Sequence, residues 1–132
     1  MILILVSQFN AIITEQLEKS AVQFLEKKKI KYEVVHVPGS LELPIAAQHF
    51  IRTKKPKAVL ALGCVIKGET DHYELVIQNC SEGLMRIALD ESVPIIQGII
   101  PSRTFEYAWE RRLKGEEYAQ TALKMVEILD IK

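Results

Sequence analysis

The segment Ala61-Leu62-Gly63-Cys64-Val65-Ile66-Lys67-Gly68-Glu69-Thr70-Asp71-His72-Tyr73-Glu74 carries an imidazole, a thiol, a hydroxyl and three carboxylates in one short span. Gly63, Gly68 and Thr70 fit the spacing of a phosphate loop, but Glu69 stands where a nucleotide-binding loop needs lysine. A carboxylate there repels the terminal phosphates that the lysine would neutralise, which argues against ATP and GTP as ligands. Free amides at a helix start can still hold one small phosphate, helped by the helix dipole. His72 is then placed, two residues into the helix, to exchange a proton with a group held there. The competing reading has Thr70 or Asp71 as a helix cap and His72 as a surface residue. A nucleophilic Cys64 or Cys80 paired with His72 is a further option, although Cys64 sits where its backbone rather than its sulfur would be used.

The elements that must position this cluster follow from hydrophobic periodicity. Met1 to Val6 predicts a central strand, and Ile13, Leu17, Ala21, Phe24 and Leu25 give the helix after it. Phe9 and Asn10 fall in the loop between them, where Phe9 either closes the end of the core or faces a ligand. Lys31 to Val37 predicts a second strand. In the turn that follows, Gly39 supplies an unusual backbone angle, Ser40 an N-cap and Pro44 a first helical turn, with the helix running to about Arg52. Glu42 there either complements the helix dipole or binds a polyol or amine. Ala58 to Leu62 is an unbroken apolar run, as in a strand buried on both faces, and the central cluster is the turn behind it. A helix from about Asp71 to Asp90 buries Tyr73, Val76, Cys80, Leu84, Ile87 and Ala88.

Ile95 to Ile100 predicts the fourth strand, in which Gln97 needs partners if buried, and Pro101-Ser102 turns the chain. One long helix is expected from about Thr104 to Leu129, with Tyr107, Arg111, Lys114 and Tyr118 on one face and Gly115 marking a kink or close packing. The alternation βαβαβαβα predicts a single α/β domain: a four-stranded parallel sheet of order 2-1-3-4 with helices on both faces, flavodoxin-like. All four strand ends then present their loops at one edge, where ligands of such sheets bind.

Bulk properties narrow the function. The 132 residues suffice for one domain and one core. Formal net charge is zero and no dense block of Lys or Arg appears, which argues against nucleic acid or an anionic membrane as partner. The apolar N-terminus is too short to span a bilayer, and a cytoplasmic location is expected. Neither the two cysteines nor the three histidines have metal-ligand spacing, so no metal is expected, and no structural disulfide.

Three motifs in order and spacing resemble the lumazine synthase family almost end to end: Phe9-Asn10, Val37 to Pro44, and Ala61 to Tyr73. Val93-Pro94-Ile95-Ile96-Gln97-Gly98 and Glu110-Arg111 continue the match less specifically. The resemblance implies condensation of 5-amino-6-(D-ribitylamino)uracil with 3,4-dihydroxy-2-butanone 4-phosphate, without a cofactor. Carried over, Phe9 stacks on the pyrimidine and Asn10 shapes its pocket, while Ser40, Leu41 and Glu42 hold the ribityl chain. The backbone of Cys64, Val65 and Ile66 reads the uracil edge. Glu69 and Thr70 offer amides to the phosphate, Arg111 pairs with it, Lys114 is a second phosphate candidate, and His72 shuttles protons. The resemblance also implies homo-oligomers built from pentamers, with sites between subunits. Two departures are visible: Gln97 replaces an aromatic residue that the family contributes to a neighbouring subunit's site, and the segment after Arg111 is short, which would join two helices into one. Archaeal-type riboflavin synthase, which dismutates two lumazines and needs no phosphate site, is the nearest alternative. A non-catalytic flavin-binding module is the other.

Overall fold

The computed structural model describes residues 1–129 of the chain. Its elements are β1 (Ile2–Ser7), α1 (Ala11–Lys27), β2 (Tyr32–Val37), α2 (Leu43–Lys54), β3 (Ala58–Ile66), α3 (Tyr73–Glu91), β4 (Ile95–Ser102), α4 (Phe105–Glu110) and α5 (Gly115–Ile128). Short 3₁₀ turns, Ser40–Glu42 and Lys67–Glu69, stand between strand and helix ahead of α2 and α3.

The sheet is parallel and ordered β2-β1-β3-β4, the expected order. β1 and β3 are buried along their whole length because helices cover both faces, which is why they read as continuous apolar runs. One core lies between the sheet and α1 and α5, built on Ile4, Leu17, Leu60, Leu62 and Ala119. The other lies between the sheet and α2 and α3, built on Leu5, Leu43, Val59, Leu84 and Ile87. Side chains alternate faces along a strand, so each central strand feeds both cores.

Several boundaries differ from those the sequence suggested. β3 runs on through Gly63 to Ile66, so the glycine is inside the strand rather than at a bend. A Cβ on Gly63 would meet Ser40 Oγ at 2.8 Å, so it is the neighbouring turn that needs the space. Gly39 is extended (φ −150°, ψ 177°), a conformation open to any residue, and a side chain there would press on the Glu42 carboxylate at 3.0 Å. Ser40 makes no cap bond; it opens the 3₁₀ turn, and Glu42 stands at the N-cap of α2, with proline in the first turn as expected. Pro101 and Ser102 end β4 instead of turning; proline is tolerated because β4 is an edge strand.

The expected single helix after β4 is two. Residues 111–114 form a tight corner with i→i−3 bonds from Arg111, Arg112 and Lys114 to Ala108, Trp109 and Arg111 carbonyls. Ser20 on α1 fixes the corner, donating to the Leu113 carbonyl at 2.7 Å and accepting from the Glu116 amide at 2.9 Å. Tyr107, Arg111, Lys114 and Tyr118 therefore do not share one helical face. Gly115 opens α5 against α1, where a Cβ would lie 1.9 Å from the Leu17 carbonyl oxygen: close packing, not a kink. The exposed lysines 27, 28, 29 and 31 and lysines 54, 55 and 57 flank the starts of β2 and β3. Parallel topology thus gathers two lysine runs at the edge opposite the turns that follow the strands.

Candidate functional site

At the carboxyl edge of the sheet the turns after β1, β2 and β3 enclose a cavity of about 310 Å³. Phe9, Ser40, Leu41, Glu42, Val65 and Thr70 line it, with Pro38, Gly39 and Val76. The volume is at the lower end of the roughly 300–1,000 Å³ typical of small-molecule sites, and the lining is apolar with few polar groups, as such sites are. Phe9 is 49% exposed, so it does not close the core; its ring is a free wall of the cavity.

The local geometry has identifiable causes. Main-chain bonds from Gln8 to the Val37 carbonyl and from Phe9 to the Pro38 carbonyl tie the first turn to the second. Asn10 takes the left-handed conformation (φ 62°), which its short polar side chain tolerates, and its Nδ2 donates to the Cys64 carbonyl at 2.8 Å. Asn10 does not line the cavity but clamps the first turn onto β3. β3 outruns its neighbour β1, since the last pair is Val6 with Leu62 whereas β3 continues to Ile66. One backbone edge of this overhang has no strand beside it: Val65 lines the cavity there, and the Cys64 carbonyl is held by Asn10.

The side chain of Cys64 is fully buried, and burial first, then the Glu69 charge, pushes its thiol up to about 12. Burial alone pushes Cys80 to about 11. Neither forms a thiolate near neutrality, which removes the cysteine nucleophile. Both are free thiols.

Glu69 ends the 3₁₀ turn and Thr70 is extended, so the third turn reaches α3 without a continuous helical start. Thr70 Oγ1 accepts from the His72 amide at 3.1 Å, a local turn rather than a helix cap. His72 is not two residues into the helix but is its N-cap residue, exposed and without a side-chain cap bond. It follows Thr70 closely but does not itself line the cavity. Burial raises the Tyr73 hydroxyl, opposed by the Arg103 guanidinium.

Gln97, Arg111 and Lys114 are not brought to this cavity. Gln97 finds both partners that a half-buried amide needs: its Oε1 accepts from Ser81 Oγ at 2.8 Å and its Nε2 donates to the Ser81 carbonyl at 3.1 Å. Arg111 closes α4, with its guanidinium 3.3 Å above the centre of the Tyr107 ring. Lys114 borders a separate hollow with Glu110, Leu113 and Glu117. Among the described residues no group of three His, Cys, Asp or Glu is arranged to hold a metal, and no helix is long and apolar enough to cross a membrane.

The chain's likeness to known proteins is close. Residues 1–130 match the family described as 6,7-dimethyl-8-ribityllumazine synthase. The protein of that name from Stenotrophomonas maltophilia (strain K279a) is 42% identical over 135 residues, covering 96% of this chain and 87% of the relative. That from Coxiella burnetii (strain RSA 493 / Nine Mile phase I) is 39% identical over 134 residues, covering 96% and 89%. That from Limosilactobacillus reuteri (strain DSM 20016) is 39% identical over 131 residues, covering 97% and 86%.

Proposed function

Because this chain belongs to the 6,7-dimethyl-8-ribityllumazine synthase family, we propose that its cavity condenses 5-amino-6-(D-ribitylamino)uracil with 3,4-dihydroxy-2-butanone 4-phosphate. The activity is that of a lumazine synthase, a transferase of riboflavin biosynthesis, releasing phosphate and water. The observation that carries the residue assignment is the meeting of Phe9, Ser40, Leu41, Glu42, Val65 and Thr70 around one cavity.

In this reading the pyrimidine stacks on the exposed Phe9 ring, and its polar edge meets main-chain groups of the β3 overhang at Cys64, Val65 and Ile66. Asn10 acts by holding that overhang in place. The ribityl hydroxyls lie along Ser40, Leu41 and Glu42, where the carboxylate accepts hydrogen bonds. The phosphate of the second substrate rests on the Glu69 and Thr70 amides at the end of the third turn, ahead of α3. Imine formation, phosphate elimination and ring closure each move a proton, and His72 beside that anion site serves them.

Arg111 pairs with the phosphate and Lys114 supports it. Since neither lines this chain's cavity, they serve the cavity of an adjacent copy, in an assembly built from pentamers. Exposed Leu75, Met85 and Leu89 on α3, and Phe105, Trp109 and Leu113 around α4, supply apolar surface for such contacts. Gln97, whose amide is engaged by Ser81, leaves the stacking in the adjacent site to Phe9. A cytoplasmic setting suits substrates of this kind.

The test is direct. Purified protein mixed with both substrates should produce the lumazine chromophore and free phosphate in step. Riboflavin formed from the lumazine alone, with no use of the butanone phosphate, would overturn the assignment.

A further inference from the structure

Two successive arginines at the end of α4 lie on aromatic rings of the preceding turn. The Arg111 carbon Cζ stands 3.3 Å from the Tyr107 ring centre, and that of Arg112 stands 4.1 Å from the Trp109 ring centre. Arg111 is also pinned by a hydrogen bond from its Nη1 to the Tyr107 carbonyl at 3.0 Å. Its carboxylate partner, Glu110, is exposed and 3.8 Å away, a loose surface ion pair too long for a hydrogen bond. A guanidinium lying flat on a ring keeps its N–H groups in the plane, at its rim, and a single main-chain bond leaves the remaining donors open. That is the disposition suited to bidentate contact with an oxyanion. Helical spacing of i and i+4 makes the pair a fixed feature of α4, not a chance contact of two loops.

We infer that the Tyr107 ring is a platform that holds Arg111 in the orientation that receives the phosphate of the four-carbon substrate, making Tyr107 a positioning residue. This rests on the phosphate role proposed above for Arg111. An unstacked arginine on an exposed helix end must give up rotamer freedom on meeting the anion, whereas a stacked one has already done so. The benefit therefore falls on binding of the phosphorylated substrate alone, and it requires the ring but not its hydroxyl.

Steady-state kinetics separates the possibilities. Tyr107→Leu should raise KM for the butanone phosphate about three- to fivefold, the scale of an exposed cation–π contact, with kcat and the pyrimidine KM unchanged. Tyr107→Phe should restore the wild-type KM. Arg112→Gln, which removes the cation from the parallel stack and leaves the Trp109 ring in place, should leave that KM unaltered. In an Arg111→Ala background, which alone should raise the same KM by a larger factor, Tyr107→Leu should add nothing. An unchanged KM in Tyr107→Leu beside a raised one in Arg111→Ala overturns the platform while sparing the role of Arg111. So does an equal rise in Arg112→Gln or a Tyr107 effect that persists without Arg111. An unchanged KM in Arg111→Ala overturns the phosphate role and the platform together.

Discussion

His72 sits in the sparsely populated bridge region (φ −113°, ψ 28°) at the N-cap of α3, with its side chain free of any cap bond. A capping side chain would be bound to the helix start, so this imidazole is available to a ligand in the third turn. Proton transfer by a placed side chain contributes about 10²–10⁴-fold, whereas aligning two reactants can contribute about 7–11 kcal/mol. The amine and ketone are already reactive, so alignment should dominate. His72→Ala is expected to slow turnover by no more than about 10²-fold while leaving both KM values near wild type. Abolished turnover with both substrates still bound would refute that division of labour. Cys64 supplies a contrasting case. Its thiol is raised to about 12, so the folded chain holds that proton while an unfolded thiol has lost it above about 8.5–9. The protonated form contributes stability that is fully present below the unfolded value and is lost as pH rises from there to about 12. Alkylation of the native protein should therefore stay slow between pH 7 and about 9 and become fast only on adding denaturant. Rapid native labelling of Cys64 would contradict the buried, protonated state.

At the scale of elements, glycines separate what a sequence discloses from what it conceals. Gly115 packs against the α1 main chain: an added Cβ would lie 1.9 Å from the Leu17 carbonyl oxygen and 2.9 Å from the Ala21 nitrogen. Backbone atoms cannot swing aside as a side chain does. Gly115→Ala is accordingly expected to destabilise by about 3 kcal/mol and lower Tm by several degrees. Gly68, with nothing within 4 Å and no positive φ, gives the matched control. Gly68→Ala should leave stability unchanged or raise it by about 0.4–1 kcal/mol through the unfolded chain. Equal Tm values for the two variants would dismiss the packing account. Local pattern revealed the strands and helices because burial sets a period of two or 3.6, and so it disclosed the sheet order and the turns that line the cavity. It missed the extension of β3 because Gly63 reads locally as a bend, while its cause, Ser40 Oγ, belongs to a turn well upstream. It missed the α4–α5 corner because residues 111–114 keep helix-like bonds, so no proline or unpaired glycine announces the break. The Ser20 contacts that fix the corner cross from another helix. The engagement of Gln97 by Ser81 was equally hidden, since only the register of β4 against α3 brings them together.

For the whole molecule, α3 presents apolar side chains on two sides. Cys80, Leu84 and Ile87 face the sheet, while Leu75, Met85 and Leu89 project from the opposite face into solvent. A helix that is apolar on both faces is ordinarily covered on both, and within this chain nothing among the described residues covers the second. The cavity shows the same incompleteness, since Phe9 and Leu41 stand half exposed on its rim and the cations proposed for the phosphate are elsewhere. The association of copies proposed above would cover both. Replacing Met85 and Leu89 with Glu should convert the assembly to species sedimenting near the 15.0 kDa of one chain, with loss of lumazine synthesis, even though neither residue borders the cavity. A second experiment distinguishes a shared site from mere mutual support. Co-expressed His72→Ala and Arg111→Ala chains form some sites that draw His72 from one copy and Arg111 from the other if the two residues act across an interface. Such a mixture should exceed the mean activity of the separate variants. If both residues act within one chain, no intact site can form, and the mixture should match that mean.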